Sequence, residues 1–346
     1  MTAKTLAAEA LRGHRLALAQ LITHIENGTP EGERALDELF PHTGQAHLIG
    51  VTGAPGTGKS TVVNALARYY RKPPDNAAAR KVGIIAVDPS SPVTGGALLG
   101  DRIRMRDLAG DPGVFIRSMA SRGSLGGLAR ATSGVVQALD AAGFDVILIE
   151  TVGAGQSEVE IASLAHTTLV IEAPGLGDDI QAIKAGILEI ADILVVNKAD
   201  RQGVEATERA LRASLQLGHP TRRANLHHGS DGYTVDKPPQ APADQADLWI
   251  PPVLRVTAAE NEGIAALAQA IQDHASYLRQ SGEWRRREQA RLETELVWQV
   301  RESLVADWRK TVTPEVYQTI VMQLAARRLT PRQARERLLQ GICDED

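Results

Sequence analysis

The chain has 346 residues, 43% of them hydrophobic and 23% charged, which excludes a disordered chain and fits one large or two modest domains. Its 38 basic and 42 acidic residues sum to −4 and aromatics make up 3%, which argues against nucleic acid or a membrane surface as partner and against a base-stacking platform. A single cysteine, Cys343, excludes an intrachain disulfide and a multi-thiolate metal site, and no apolar run approaches the ~20 residues of a membrane span.

The N-terminus carries Glu9 and Glu26 rather than a signal-peptide core, so a cytoplasmic location is expected. Residues 5–27 read as one amphipathic helix with Leu11, Leu18, Leu21, Ile22 and Ile25 on a stripe, stopped by Asn27-Gly28. A short helix over 31–40 follows. Apolar runs at 47–52, 82–87, 145–150, 167–172, 192–196 and 252–256 then alternate with helical patterns at 59–71, 125–142, 157–165, 179–190 and 203–216. Near-continuous apolar strands separated by helices predict a doubly wound α/β fold with a mainly parallel sheet, whose ligands sit at the carboxyl ends of the strands. Residues 219–251, rich in Pro, Asp and Gly, read as a surface insertion. From 263 onward the chain is helical; Leu292, Leu296, Val300, Leu304 and Trp308 form a stripe expected to pack on its own domain, with an exposed dimerising arm as the alternative. The reading gives an N-terminal helical segment (1–44), a nucleotide-binding domain (45–282) and a C-terminal helical extension (283–346).

The first chemical motif follows the 47–52 strand. Gly53, Ala54, Pro55, Gly56, Thr57, Gly58, Lys59 and Ser60, continued by Thr61, fit the phosphate-binding P-loop G-x-x-x-x-G-K-[ST]. Its backbone N–H groups curl around a β-phosphate, Lys59 reaches the β- and γ-phosphates, Ser60 offers a hydroxyl to Mg²⁺, and the helix that opens there points its positive end at the anion. Asn197-Lys198-Ala199-Asp200 ends a later strand. In this N-K-x-D pattern the Asp carboxylate accepts from guanine N1–H and the exocyclic amine, donors that adenine lacks, while Asn197 and Lys198 brace the loop. Thr257, Ala258 and Ala259 suit a backbone loop closing on guanine O6; a helix N-cap is the competing reading. Glu150 and Gly153 end the 145–150 strand, where a metal-holding acid and a γ-phosphate-sensing glycine belong. Asp88 and Asp101 could join Ser60 and Glu150 around Mg²⁺; a turn before Pro89 and a helix N-cap are their plainer explanations. Lys59, Asp88 and Glu150 are the candidate catalytic residues.

The runs GAPGTGKST (53–61), VDPSSPVTGGALLGDRIRM (87–105), SRGSLGGLA (121–129), ETVGAGQSE (150–158), APGLGDDIQAIKAGILEIADILVVNKAD (173–200) and VTAAENEGI (256–264) together resemble the MeaB/ArgK family. The DPSSP and ETVG-x-GQSE blocks are the most family-specific, and the resemblance covers about residues 10–282. It implies a GTPase that acts as a metallochaperone, gating cofactor loading and protecting an adenosylcobalamin-dependent acyl-CoA mutase. It also implies Mg²⁺ on Ser60, Asp88, Asp101 and Glu150, and a switch around Gly177, Asp178, Gln181 and Lys184, with Gln156 close to the γ-phosphate. The implied partners are the mutase, its adenosyltransferase and a second copy of the chain through the C-terminal helices. The chain carries no cobalamin-binding D-x-H-x-x-G signature, so the cobalamin would be held by the partner. Two departures stand out: the 219–251 insertion is longer than usual, and Thr257 stands where the family often has Ser. A P-loop kinase of a transport system and a nickel-insertion GTPase are the alternatives. The guanine-reading NKAD argues against the first, and the scattered histidines with one terminal cysteine against the second.

Overall fold

The computed structural model describes residues 2–74, 77–89, 105, 107–108, 110–121, 127–151, 162–175, 189–217 and 248–340. The N-terminal stripe forms two helices rather than the single one expected over 5–27: α1 (Ala3–Leu11) and α2 (Arg15–Glu26). The break lies at Gly13, whose φ of +86° is open to glycine at little cost. There Gly13 N–H bonds Ala10 O (2.9 Å) and His14 N–H bonds Glu9 O (3.0 Å), closing α1 with a Schellman motif that the hydrophobic period does not register. Leu18, Leu21, Ile22 and Ile25 stay on the buried face of α2. The third helix, α3 (Pro30–Leu39), starts with proline at its first position and Thr29 Oγ1 accepting from Gly32 N–H (3.2 Å).

The sheet and its helices then follow: β1 (His47–Thr52), α4 (Lys59–Arg71), β2 (Val82–Pro89), β3 (Val114–Ser121), α5 (Gly127–Ala141), β4 (Val146–Thr151), β5 (Thr167–Glu172), β6 (Ile193–Val196), α6 (Val204–Leu217), β7 (Val253–Arg255) and α7 (Ile264–Gln280). Six of these strands match the apolar runs read from the sequence; β3 is an addition, its apolar pattern being interrupted by Arg117 and Ser118, and the helices expected over 157–165 and 179–190 lie mostly outside the described residues. Seven strands lie in the order β3-β2-β4-β1-β5-β6-β7, every pair parallel. Parallel crossovers leave helices on both faces, so β1 and β4 are buried along their whole length. On one face Val62, Val63 and Leu66 of α4 and Leu267 and Ile271 of α7 pack on Ile49, Val51, Leu169 and Ile171. On the other, α1 to α3 and α5 cover Leu48, Ile85, Ile147 and Ile149. Val204 and Leu211 of α6 complete that face over Val170, Leu194 and Val196.

β1 sends the chain toward β2 and its neighbour β5 sends it the opposite way, toward β6. The crevice at their carboxyl ends is therefore a topological switch point, where doubly wound sheets bind ligands. Among the described residues no helix is long and apolar enough to cross a membrane.

Two compact units make up the chain, Met1–Arg291 and Leu292–Asp346. Helix α8 (Glu283–Thr311) starts in the first unit and continues into the second, so Glu283–Arg291 belongs with the nucleotide-binding unit. The second unit contains the rest of α8, α9 (Pro314–Ala325) and α10 (Pro331–Gln340), with Trp308 Nε1 donating to Leu338 O at 3.1 Å. Leu296, Val300 and Leu304 are 61%, 49% and 65% exposed, so these positions do not pack on their own unit as expected. Of the 219–251 insertion, residues 219–247 lie outside the described residues.

Candidate nucleotide-binding site

The phosphate loop begins where β1 runs tightly past β5. Gly53 has a φ of +140°, and a Cβ there would sit 2.1 Å from Ile171 O, a backbone atom that cannot yield. The loop then turns into α4, whose first N–H groups and dipole make an anion site. Lys59 is buried at 6% exposure, and its ammonium donates to Gly53 O (2.8 Å) and Ala54 O (3.0 Å), holding the cation inside the curl of the loop. Thr57 Oγ1 tightens the same curl by donating to Ala54 O at 2.9 Å.

Glu150 reaches this loop from β4, paired in register with Val51 of β1 and Ala86 of β2. Ser60 Oγ donates to Glu150 Oε1 at 2.5 Å, a short charge-assisted bond to a carboxylate that is 5% exposed. One residue on, Thr151 Oγ1 donates to Thr52 Oγ1 (3.2 Å), a buried hydroxyl pair that ties the ends of β4 and β1 and that no motif announced. Asp88 lies at the carboxyl end of β2, opposite Ala120 of β3. The Asp88 side chain, and Asp101, Gly153, Gln156, Gly177, Asp178, Gln181 and Lys184 altogether, lie outside the described residues. A hydroxyl and a carboxylate are hard oxygen donors. Mg²⁺ at a phosphate site usually keeps one or two protein ligands beside phosphates and water, so this pair fits that ion.

The NKAD loop is fastened to the phosphate loop directly. Asn197, 3% exposed at the end of β6, donates through Nδ2 to Thr57 O (2.8 Å). Its Oδ1 accepts from Ala258 N–H (3.2 Å). Lys198, in a left-handed conformation at φ +57°, donates to Gly56 O at 2.7 Å. Ala199 N–H bonds Val256 O at 3.1 Å, and Asp200 projects exposed beyond. Thr257 and Ala258 are buried while Ala259 is exposed, and Thr257 bonds Glu262 in both directions (3.1 and 3.2 Å), fixing the third loop. The structure thus gathers Gly53 to Thr61, Glu150, Asn197, Lys198, Asp200 and Thr257 to Ala259 at one end of the sheet.

A P-loop after the first strand, braced by an NKAD loop on a later one, defines a P-loop GTPase. Residues 18–313 match the family described as "Methylmalonyl Co-A mutase-associated GTPase MeaB", and the chain belongs to that family. It is 41% identical to a relative in Pyrococcus abyssi over 96% of this chain and 94% of the relative. To the GTPase ArgK of Escherichia coli it is 36% identical, over 84% of this chain and 82% of that protein. A crystal structure titled as an LAO/AO transport system kinase matches with a TM-score of 0.68 at 26% identity, covering 98% of this chain and 97% of that one.

Proposed function

We propose that this GTPase is a metallochaperone that gates cofactor loading and protects an adenosylcobalamin-dependent acyl-CoA mutase, the cobalamin being held by the partner. The observation that carries the reading is the match of residues 18–313 to a family described by its association with methylmalonyl-CoA mutase. A Caenorhabditis briggsae relative, 28% identical over 89% of this chain, is named a methylmalonic aciduria type A homolog and points the same way. In the nucleotide cycle, Lys59 neutralises the β- and γ-phosphates and the loop N–H groups hold the β-phosphate. Ser60, Glu150, Asp88 and Asp101 would hold Mg²⁺, which supplies positive charge to the phosphates when bound. Asp200 reads guanine N1–H and the amine, and the Thr257–Ala259 backbone closes on O6. Asp178, Gln181 and Lys184, with Gln156 and Gly153 nearer the γ-phosphate, form the switch that a partner orders. The chain works as a homodimer through its C-terminal helices, and the mutase's adenosyltransferase is its second partner.

The test is GTP hydrolysis by the full chain with and without purified acyl-CoA mutases, alongside co-elution. The cognate mutase binds and accelerates turnover. If no such mutase does either, the chaperone reading fails while the GTPase assignment stands.

A further inference from the structure

The end of the sheet opposite the nucleotide loops holds a buried cluster that the GTPase cycle does not use. His47 opens β1, His166 precedes β5 and His274 lies in α7; they are 5%, 3% and 0% exposed. Glu283–Arg291 of α8 lies against them. Trp284 stacks on His166 with ring centres 3.9 Å apart and stands 5.4 Å from His47, while Arg279 of α7 covers Trp284 at 4.3 Å. Arg287 makes a bidentate pair with Asp192 (2.8 and 2.9 Å) and donates to His166 O (2.6 Å). Glu288 bonds His166 Nε2 (3.3 Å) and Arg291 (2.5 Å).

One hydrogen bond fixes how the His166 ring carries its proton. Leu48 N–H donates to His166 Nδ1 at 3.1 Å, and a backbone amide can only donate, so Nδ1 must be bare and Nε2 carries the proton toward Glu288. His274 Nε2 lies 3.4 Å from Asp192 Oδ1, and its Nδ1 shares a hydrogen bond with the Thr167 hydroxyl (2.9 Å). The same hydroxyl bonds His47 Nε2 (2.7 Å). A hydroxyl can rotate to meet a newly protonated ring. The Leu48 amide cannot: a proton on Nδ1 of His166 meets an N–H head-on, and the ring has to turn out of its place, taking the Trp284 stack with it.

We propose that His166 is an acid-sensitive latch: protonation of its ring releases Glu283–Arg291, the first turns of α8, from the amino end of the sheet. This is the stretch by which the first unit's chain runs into the second. The electrostatics agree with the geometry. Burial, with Arg291 and Arg287 nearby, holds His166 below the ordinary histidine range, and Glu288 opposes this only in part. Burial, then His166, His274, Arg279 and Arg80, depress His47 further. Burial would raise Glu288, but hydrogen bonds from His166 and Arg291 bring it down to about 2, so it stays charged through mild acid. A histidine depressed in the closed state contributes stability that is complete above its ordinary value near 6.5 and is lost as pH falls below it. The latch therefore weakens on mild acidification, before Glu288 titrates.

Hydrogen exchange of the full-length protein at about pH 7.5 and about pH 5.5, on either side of the ordinary histidine value and corrected for intrinsic rates, tests this. The amides of Trp284–Arg291 and of Leu48 should lose protection several-fold at the lower pH while those of α4 do not change. In His166→Asn, whose side-chain oxygen can still accept from Leu48 but cannot titrate, the acid response should shrink to what His47 contributes. In Glu288→Gln, which removes the charge favouring the protonated ring in the closed state, it should grow. Equal protection of the wild type at both pH values overturns the latch. So does a loss that includes α4, an acid response undiminished in His166→Asn, or one in Glu288→Gln no larger than in the wild type.

Discussion

Lys59 and Asp200 show how much a single side chain can decide. Lys59 Nζ is held over the phosphate loop by two carbonyls, so a bound phosphate meets a cation already in place. Lys59→Ala should abolish tight GTP binding in isothermal titration without unfolding the chain, and unchanged affinity would contradict its assignment to the phosphates. Asp200 stands exposed at the edge of a loop whose backbone is pinned by Asn197 and Lys198. Asp200→Asn should lower GTP relative to xanthosine triphosphate, because an amide donates to the xanthine oxygen that would repel a carboxylate. Sites that read a base by hydrogen bonds discriminate by factors of roughly 10⁴ or more, so the relative preference should change by several kcal/mol. Competition binding with both nucleotides measures it, and ATP competing as well as GTP in the wild type would sink the guanine reading.

At the level of elements, β1, β4, β5 and β6 were legible because each is one apolar run buried almost throughout, whereas β3 was not, because half-buried Arg117 and Ser118 interrupt its apolar run. What could not be read is what depends on contacts remote in sequence. The period of α2 extends back through Leu11, yet the Gly13 turn ends α1 there. The motifs placed Asn197 near the base, but not its bond to Thr57 O, which makes the two loops one unit. The histidine cluster has no motif because its members come from β1, the approach to β5, and α7. The close approach of β1 to β5 at Gly53 predicts that Gly53→Ala, with its Cβ forced onto Ile171 O, should push β1 from β5 and cost both stability and nucleotide affinity, read by thermal unfolding with and without GDP. A wild-type response of both would refute the close approach. In the segment carrying Asp178, Gln181 and Lys184, the family resemblance predicts a different signature. Lys184→Ala should leave intrinsic hydrolysis within a few-fold and remove most of the mutase-driven acceleration, since a partner speeds turnover only by binding the ordered switch more tightly. Equal stimulation of mutant and wild type would eliminate the switch role.

For the whole molecule, the question is what the second unit is for. Met1–Arg291 contains the complete sheet, both helical layers and all three nucleotide loops. Leu292–Asp346 has little core of its own: Ile320 and Ala334 are its buried apolar residues among those described, while Leu296, Val300 and Leu304 of α8 and Val321 and Met322 of α9 are exposed. Apolar surface left in water costs about 25 cal/mol per Å², so such a face is stabilised when something covers it. In the homodimer proposed above, a second copy of the chain would supply the same face by symmetry, and an isologous interface needs only one self-complementary patch. The double variant Leu296→Asp, Leu304→Asp places charge where two copies would meet and should convert a dimer to monomer in sedimentation velocity. Because neither residue lies in the unit that carries the nucleotide loops, GTP affinity and intrinsic hydrolysis should stay at wild-type levels. A variant that remains dimeric would move the interface elsewhere, and a wild type that sediments as monomer at micromolar concentration would remove the second copy as the occupant of this face.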